Sequence, residues 1–124
     1  ETTTLNYLNK QKFDNIIFID LVKADENTSD FKFDGGSGLI LKNGGYVMRN
    51  AFYDKIKDLF KGEAGYGLCF CKESTLAEKA EILFGTPVYS IGVPIKFKDC
   101  GLSEISQRDI SSAAKLTVEI LNRI

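Results

Sequence analysis

The chain alternates short, dense apolar runs with stretches of helical spacing. The first run is Ile16-Ile17-Phe18-Ile19, closed by Asp20. Continuous rather than alternating apolarity suits a strand buried on both faces, as in a parallel sheet. Residues 23–37 are polar and hold Asp34-Gly35-Gly36-Ser37, which predicts a loop. Residues 38–42 read as a strand. Asn43-Gly44 is a hairpin signal, because both residues tolerate positive φ, and 45–48 would be the return strand.

Helical spacing begins after Asn50, a candidate cap. Phe52, Ile56, Leu59 and Phe60 make one apolar face of a helix over about 51–61. Residues 67–72 (Gly-Leu-Cys-Phe-Cys-Lys) form the next strand. Thr75 with Glu78 has the spacing of a capping box, which opens a second helix with Leu76, Ala80, Leu83 and Phe84 on one face. Residues 88–93 predict a strand stopped by Pro94, and 95–105 an irregular segment. Ser106 with Asp109 resembles another capping box. The last helix is expected over about 107–123, with Ile110, Ala113, Ala114, Thr117, Leu121 and Ile124 on one side.

Strands alternating with helices predict an α/β fold, here a mixed sheet with three flanking helices in a single domain over 1–124. Ligands of open α/β sheets bind beyond the carboxyl ends of the strands. Asp20, Glu73-Ser74-Thr75 and 96–100 are therefore expected to cluster at one edge. A carboxylate after an apolar strand can ligate a metal or act as a base; the same placement suits a turn or cap residue. The free N–H groups at a helix start opened by Ser74-Thr75 could bind an anion, and capping alone also explains the pair. Gly35-Gly36-Ser37-Gly38 precedes a strand and no helix, so it is not a phosphate loop.

Composition narrows the chemistry. The 124 residues include 16 Lys+Arg against 17 Asp+Glu, a net charge of −1. That leaves no cationic excess for nucleic acid. No run approaches the roughly 20 apolar residues of a membrane helix, and the polar start is no signal peptide. The chain has no His, so it cannot by itself build a Ser-His-Asp triad or a His-ligated zinc site. Cys69, Cys71 and Cys100 are odd in number, which fits buried thiols in a reducing cytoplasm. A nucleophilic Cys would need a nearby cation or helix N-terminus, and Cys100 beside Lys98 is the one candidate. The chain begins at Glu1 and not Met, as expected of a processed product or fragment.

The strand ending in Ile-Phe-Ile-Asp20, followed by a loop and Gly-Ser-Gly-Leu-Ile-Leu-Lys, resembles the glutamyl/tetrahedral aminopeptidase family of dinuclear zinc metallopeptidases. So does Ile91-Gly-Val-Pro-Ile-Lys-Phe-Lys-Asp99-Cys-Gly, with Ser106-Gln-Arg-Asp109-Ile110 opening a long amphipathic helix. The resemblance implies the C-terminal half of the family's catalytic domain, in degenerate form. It places Asp20 at a metal-ligand Asp, Asp99 at a ligand His, and Lys96-Phe97 at a basic-aromatic pair. Ser74 and Thr75 stand near the family's substrate-side glycine loop. It implies peptide substrates and a divalent metal, zinc or cobalt, in the intact family. The family's His-x-Asp motif, bridging Asp and Glu-Glu pair precede the strand carrying Asp20, so they lie upstream of Glu1. The chain alone therefore has no catalytic residue, lacks most metal ligands and is expected to be inactive. It is also expected to self-associate, because a half-domain leaves an edge and an apolar face exposed. The alternative is a non-catalytic binding or assembly domain of the same fold.

Overall fold

The computed structural model describes residues 13–24, 29–43, 46–60, 66–72, 87–96 and 104–124. Among them the strands are β1 (Ile16–Lys23), β2 (Gly38–Asn43), β3 (Tyr46–Val47), β4 (Gly67–Cys71), β5 (Val88–Lys96) and β6 (Glu104–Ile105). The helices are α1 (Asn50–Tyr53), a 3₁₀ turn at Lys57–Phe60, and α2 (Gln107–Leu121). The expected helix at 75–84 lies outside the described residues. No helix among the described residues is long and apolar enough to cross a membrane.

The sheet is mixed, as expected. β1 runs parallel to β5, β5 antiparallel to β2, and β2 parallel to β4. β3 returns along β2 as a hairpin, and β6 pairs with the end of β5. β5 is central and is buried from Val88 to Ile95. Pro94 does not stop it. Ala24 N–H donates to Ile95 O at 3.0 Å, so Ile95 faces β1 and Pro94, by alternation, faces the other flank. There β2 pairs only as far as Gly92 and β6 begins at Ile95, so no donor is needed at Pro94.

β1 departs from the doubly buried strand that its apolar run predicts. It continues to Lys23, and Ile19 and Leu21 are exposed. Its only described partner strand is β5, at one end of the sheet order.

α2 covers one face of the sheet. Ala113, Leu116 and Ile120 pack with Leu39, Ile91 and Val93 in the main core. Fully burying a Leu or Ile side chain stabilises the fold by roughly 1.5–3 kcal/mol. The buried side of α2 differs from the expected one: Ile110 and Leu121 are exposed, and Asp109 is buried. A charged residue on the inner face rotates the helix away from its apparent apolar stripe. The expected helix over 51–61 is broken into α1, a turn and the 3₁₀ segment. Arg49, not Asn50, holds the N-cap position of α1.

Candidate functional site

The opposite face of the sheet is covered at Phe31 by the segment 29–37, where a polar loop is expected. It is a strap with anchors at both ends. At its start, the Ser29 hydroxyl donates to Lys23 O at 2.8 Å, and Phe70 N–H donates to Asp30 Oδ2 at 2.9 Å. Phe31 then turns inward and packs with Val22, Ile40, Cys69 and Cys71 in a second core cluster. Its ring lies on Gly92: a Cβ there would stand 2.4 Å from Phe31 Cζ.

At its far end the strap is held by the first turns of α2. Asp34 N–H donates to Asp109 Oδ2 at 2.8 Å, and Gly36 N–H to Asp109 Oδ1 at 2.7 Å. Ser37 N–H donates to Ser112 Oγ at 3.0 Å, and the two hydroxyls are 2.8 Å apart. The Ser106 hydroxyl donates to Asp34 Oδ1. The expected Ser106–Asp109 capping box is therefore not what these residues make. Ser106 is the N-cap residue of α2, but without a side-chain cap bond. Both side chains are turned to the strap. Asp109, wholly buried, supplies a carboxylate to two backbone donors that bend around it. The bend needs left-handed backbone at Asp34 (φ 61°) and at Gly36 (φ 97°). For Asp34 that conformation costs energy, which the surrounding hydrogen bonds offset.

The predicted site residues separate in this frame. Asp20 is not at a strand end. It lies within β1, opposite Gly92, four residues short of the level of Lys96, or about 13 Å along the strand. Asp20 shares the strap-covered face with Gly92 and Val22, and its Oδ2 is closed off from solvent. Lys96 does stand at the carboxyl end of β5. Its Nζ lies 4.3 Å from the centre of the Phe33 ring, a cation–π contact with the strap. Asp99, Ser74 and Thr75 lie outside the described residues, so their expected clustering with Asp20 is not on view.

Among the described residues, no three His, Cys, Asp or Glu side chains come together to hold a metal ion. One half-buried carboxylate does not by itself make a two-metal centre, which needs both ions clamped and a base for water. Cys69 and Cys71 are buried thiols. Burial, then the charges of Asp30 and Cys71, push the Cys69 thiol up to about 12. A thiol held protonated in this way is a poor nucleophile. Cys100 is outside the described residues. A depression of about 290 Å³ on the outer side of α2 is lined by Ala114, Lys115, Val118 and Glu119 and is away from these groups.

Phe31, Phe33 and Asp109 were missed as site-shaping residues. Phe31 and Phe33 alternate with charged residues in Asp30-Phe31-Lys32-Phe33-Asp34, and that period of two was the one available signal.

No protein-family model matches the chain, and no curated protein matches it. Solved structures do match. A TET aminopeptidase from the marine sediment archaeon Thaumarchaeota archaeon SCGC AB-539-E09 superposes with a TM-score of 0.76 at 16% identity, over 98% of this chain and 35% of that one. The TET1 peptidase of Pyrococcus horikoshii, which can assemble into a tetrahedron or a large octahedral shell, gives 0.74 at 16%, over 96% and 36%. An endoglucanase from Thermotoga maritima gives 0.64 at 16%, over 94% and 36%. The chain thus has the fold of a part of these proteins and spans about a third of their length. At this identity the likeness is one of fold.

Proposed function

We propose that this chain is the C-terminal part of an aminopeptidase-like catalytic domain, which hydrolyses peptides from the N-terminus when intact and is inactive as the part given. The observation that carries this reading is the superposition of nearly the whole chain on about a third of two TET peptidases. The sequence resemblance at Asp20 and around Lys96 points to the same family independently of the superposition. In this reading Asp20 and Asp99 are ligand positions for a divalent metal, zinc or cobalt, in the intact protein. Lys96, Ser74 and Thr75 are the substrate-binding positions of this reading. In the family that the chain resembles, the general base and the remaining ligands precede the strand that carries Asp20, and an Asp in place of a ligand His makes the centre a weak one for zinc.

The test is hydrolysis of aminoacyl p-nitroanilides in the presence of zinc or cobalt. The chain alone is compared with the same chain carrying its encoded upstream segment. The expected result is no turnover for the chain alone. Turnover by this chain alone would overturn the reading, and so would an upstream segment without a Glu-Glu pair and a His-x-Asp motif.

A second reading is a non-catalytic assembly domain, favoured by the apolar side chains left exposed on the two outer strands. Ile19 and Leu21 on β1, and Phe70 on β4, are about half exposed. Such surfaces commonly mark contact sites. Light scattering that shows a clean monomer at high concentration argues against it.

A further inference from the structure

The strap ties two places in the fold that the proposed function treats separately. One is the start of α2, where Asp109 and Ser112 bind the strap backbone at 34, 36 and 37. The other is the end of β5, where Phe33 meets Lys96. Phe33 and Asp34 are consecutive, so whatever holds Asp34 also holds the Phe33 ring. The hold is strong for a surface segment. Asp109 is wholly buried and has both carboxylate oxygens committed to strap N–H groups. A non-glycine residue is kept at φ 61° beside the ring. Strained backbone persists where surrounding contacts over-determine it, and such places concentrate at working sites. On the other side of Phe33, Phe31 is locked over Gly92. The backbone at Phe33 is therefore held on both flanks, and its ring meets the exposed Lys96 ammonium from the strap side, while Glu104 of β6 stands opposite Lys96 in the sheet.

We propose that Phe33 is a positioning residue for Lys96, set by Asp109: the strap holds the ring so that the Lys96 ammonium stays at the carboxyl end of β5, ready for the carboxylate of a peptide ligand. The choice of ligand rests on the aminopeptidase-like reading; the positioning does not. A ring attracts the ammonium without neutralising it, so the cation keeps its charge and its donors for an anionic group. A carboxylate partner at the same place would compete with the ligand.

The test is the NMR signal of the Lys96 ε-methylene protons, which the face of an aromatic ring displaces upfield. In the full chain that signal is expected upfield of the other lysines. Phe33→Leu is expected to return it to their range, and Phe33→Tyr to restore the displacement. Asp109→Asn is expected to reduce the displacement by at least half while α2 remains folded. If Asp109→Asn does not fold, the double variant Ser106→Ala/Ser112→Ala removes the hydroxyl ties and leaves the Asp109 bonds, and a smaller reduction is expected. A Lys96 signal that Phe33→Leu leaves in place overturns the proposal. So does one unmoved in whichever strap-anchor variant folds. Addition of the dipeptide Gly-Gly separates the two levels. Movement of the displaced Lys96 signal supports the peptide ligand. No movement, with the variant responses intact, removes the peptide reading and leaves the positioning role standing.

Discussion

The Phe31 ring occupies the space where Gly92 would carry a side chain, with Cζ 2.4 Å from the position of a Cβ. This contact joins the strap to the central strand, at the position opposite Asp20. Gly92→Ala is expected to force Phe31 out of its cluster with Val22, Ile40, Cys69 and Cys71. Overpacking of a buried site costs about 1–3 kcal/mol. The urea midpoint should fall accordingly. A midpoint within error of the parent would mean that the ring moves aside freely.

Asp109 carries the other anchor. Asp109→Ala leaves the part-buried N–H groups of Asp34 and Gly36 without their acceptor. A fully buried donor left unpaired costs about 1–3 kcal/mol, and water can reach these two, so a loss toward the lower end of that range is expected. Hydrogen exchange at Asp34 and Gly36 should accelerate ahead of exchange in β5. Equal protection in variant and parent would remove Asp109 as the anchor.

Cys69 predicts an alkaline limb of stability. Its folded-state value is raised from 9.0 to about 12, so the native state keeps a proton that the unfolded chain gives up. Its contribution is fully present below pH 9 and is lost as pH rises toward 12, because there the unfolded state binds fewer protons. Burial raises the Tyr89 hydroxyl in the same direction. Cys69→Ala should flatten the fall in urea midpoint between pH 9 and 11. Native Cys69 should also react with a thiol reagent at pH 8 only as fast as the chain unfolds. Rapid labelling of the folded chain would contradict this.

Two hydroxyls test the opposite sign. Ser90 Oγ and Tyr89 Oη are buried without a hydrogen-bond partner among the described residues. A buried unpartnered hydroxyl costs about 1–3 kcal/mol in proteins. Ser90→Ala and Tyr89→Phe are therefore expected to leave thermal stability unchanged or raise it. Tyr46 differs: its hydroxyl donates to Val88 O at 2.9 Å, and Tyr46→Phe should cost about 0.5–1.5 kcal/mol. A drop for Ser90→Ala as large as that for Tyr46→Phe would show that Ser90 has a partner.

Local pattern determined much of this molecule. The runs at 16–19, 38–42, 67–72 and 88–93 became strands because apolar side chains of these types can be buried only on a sheet or a helix, and the runs are too short for helices. The long spacing after Ser106 became α2, and Cys69 and Cys71 became buried thiols on one face because they are two residues apart on a strand. Only the tertiary structure decided that Asp20 lies in mid-strand rather than at an edge, because where β1 ends depends on its pairing with β5. Only it decided that Ser106 and Asp109 bind a strap rather than cap a helix, and that Phe33 meets Lys96. The bonds from Asp109 span 73 and 75 residues. Periodicity reports what a residue's neighbours within two or three turns can bury. It carries no information about which distant backbone donors fold back to meet a carboxylate.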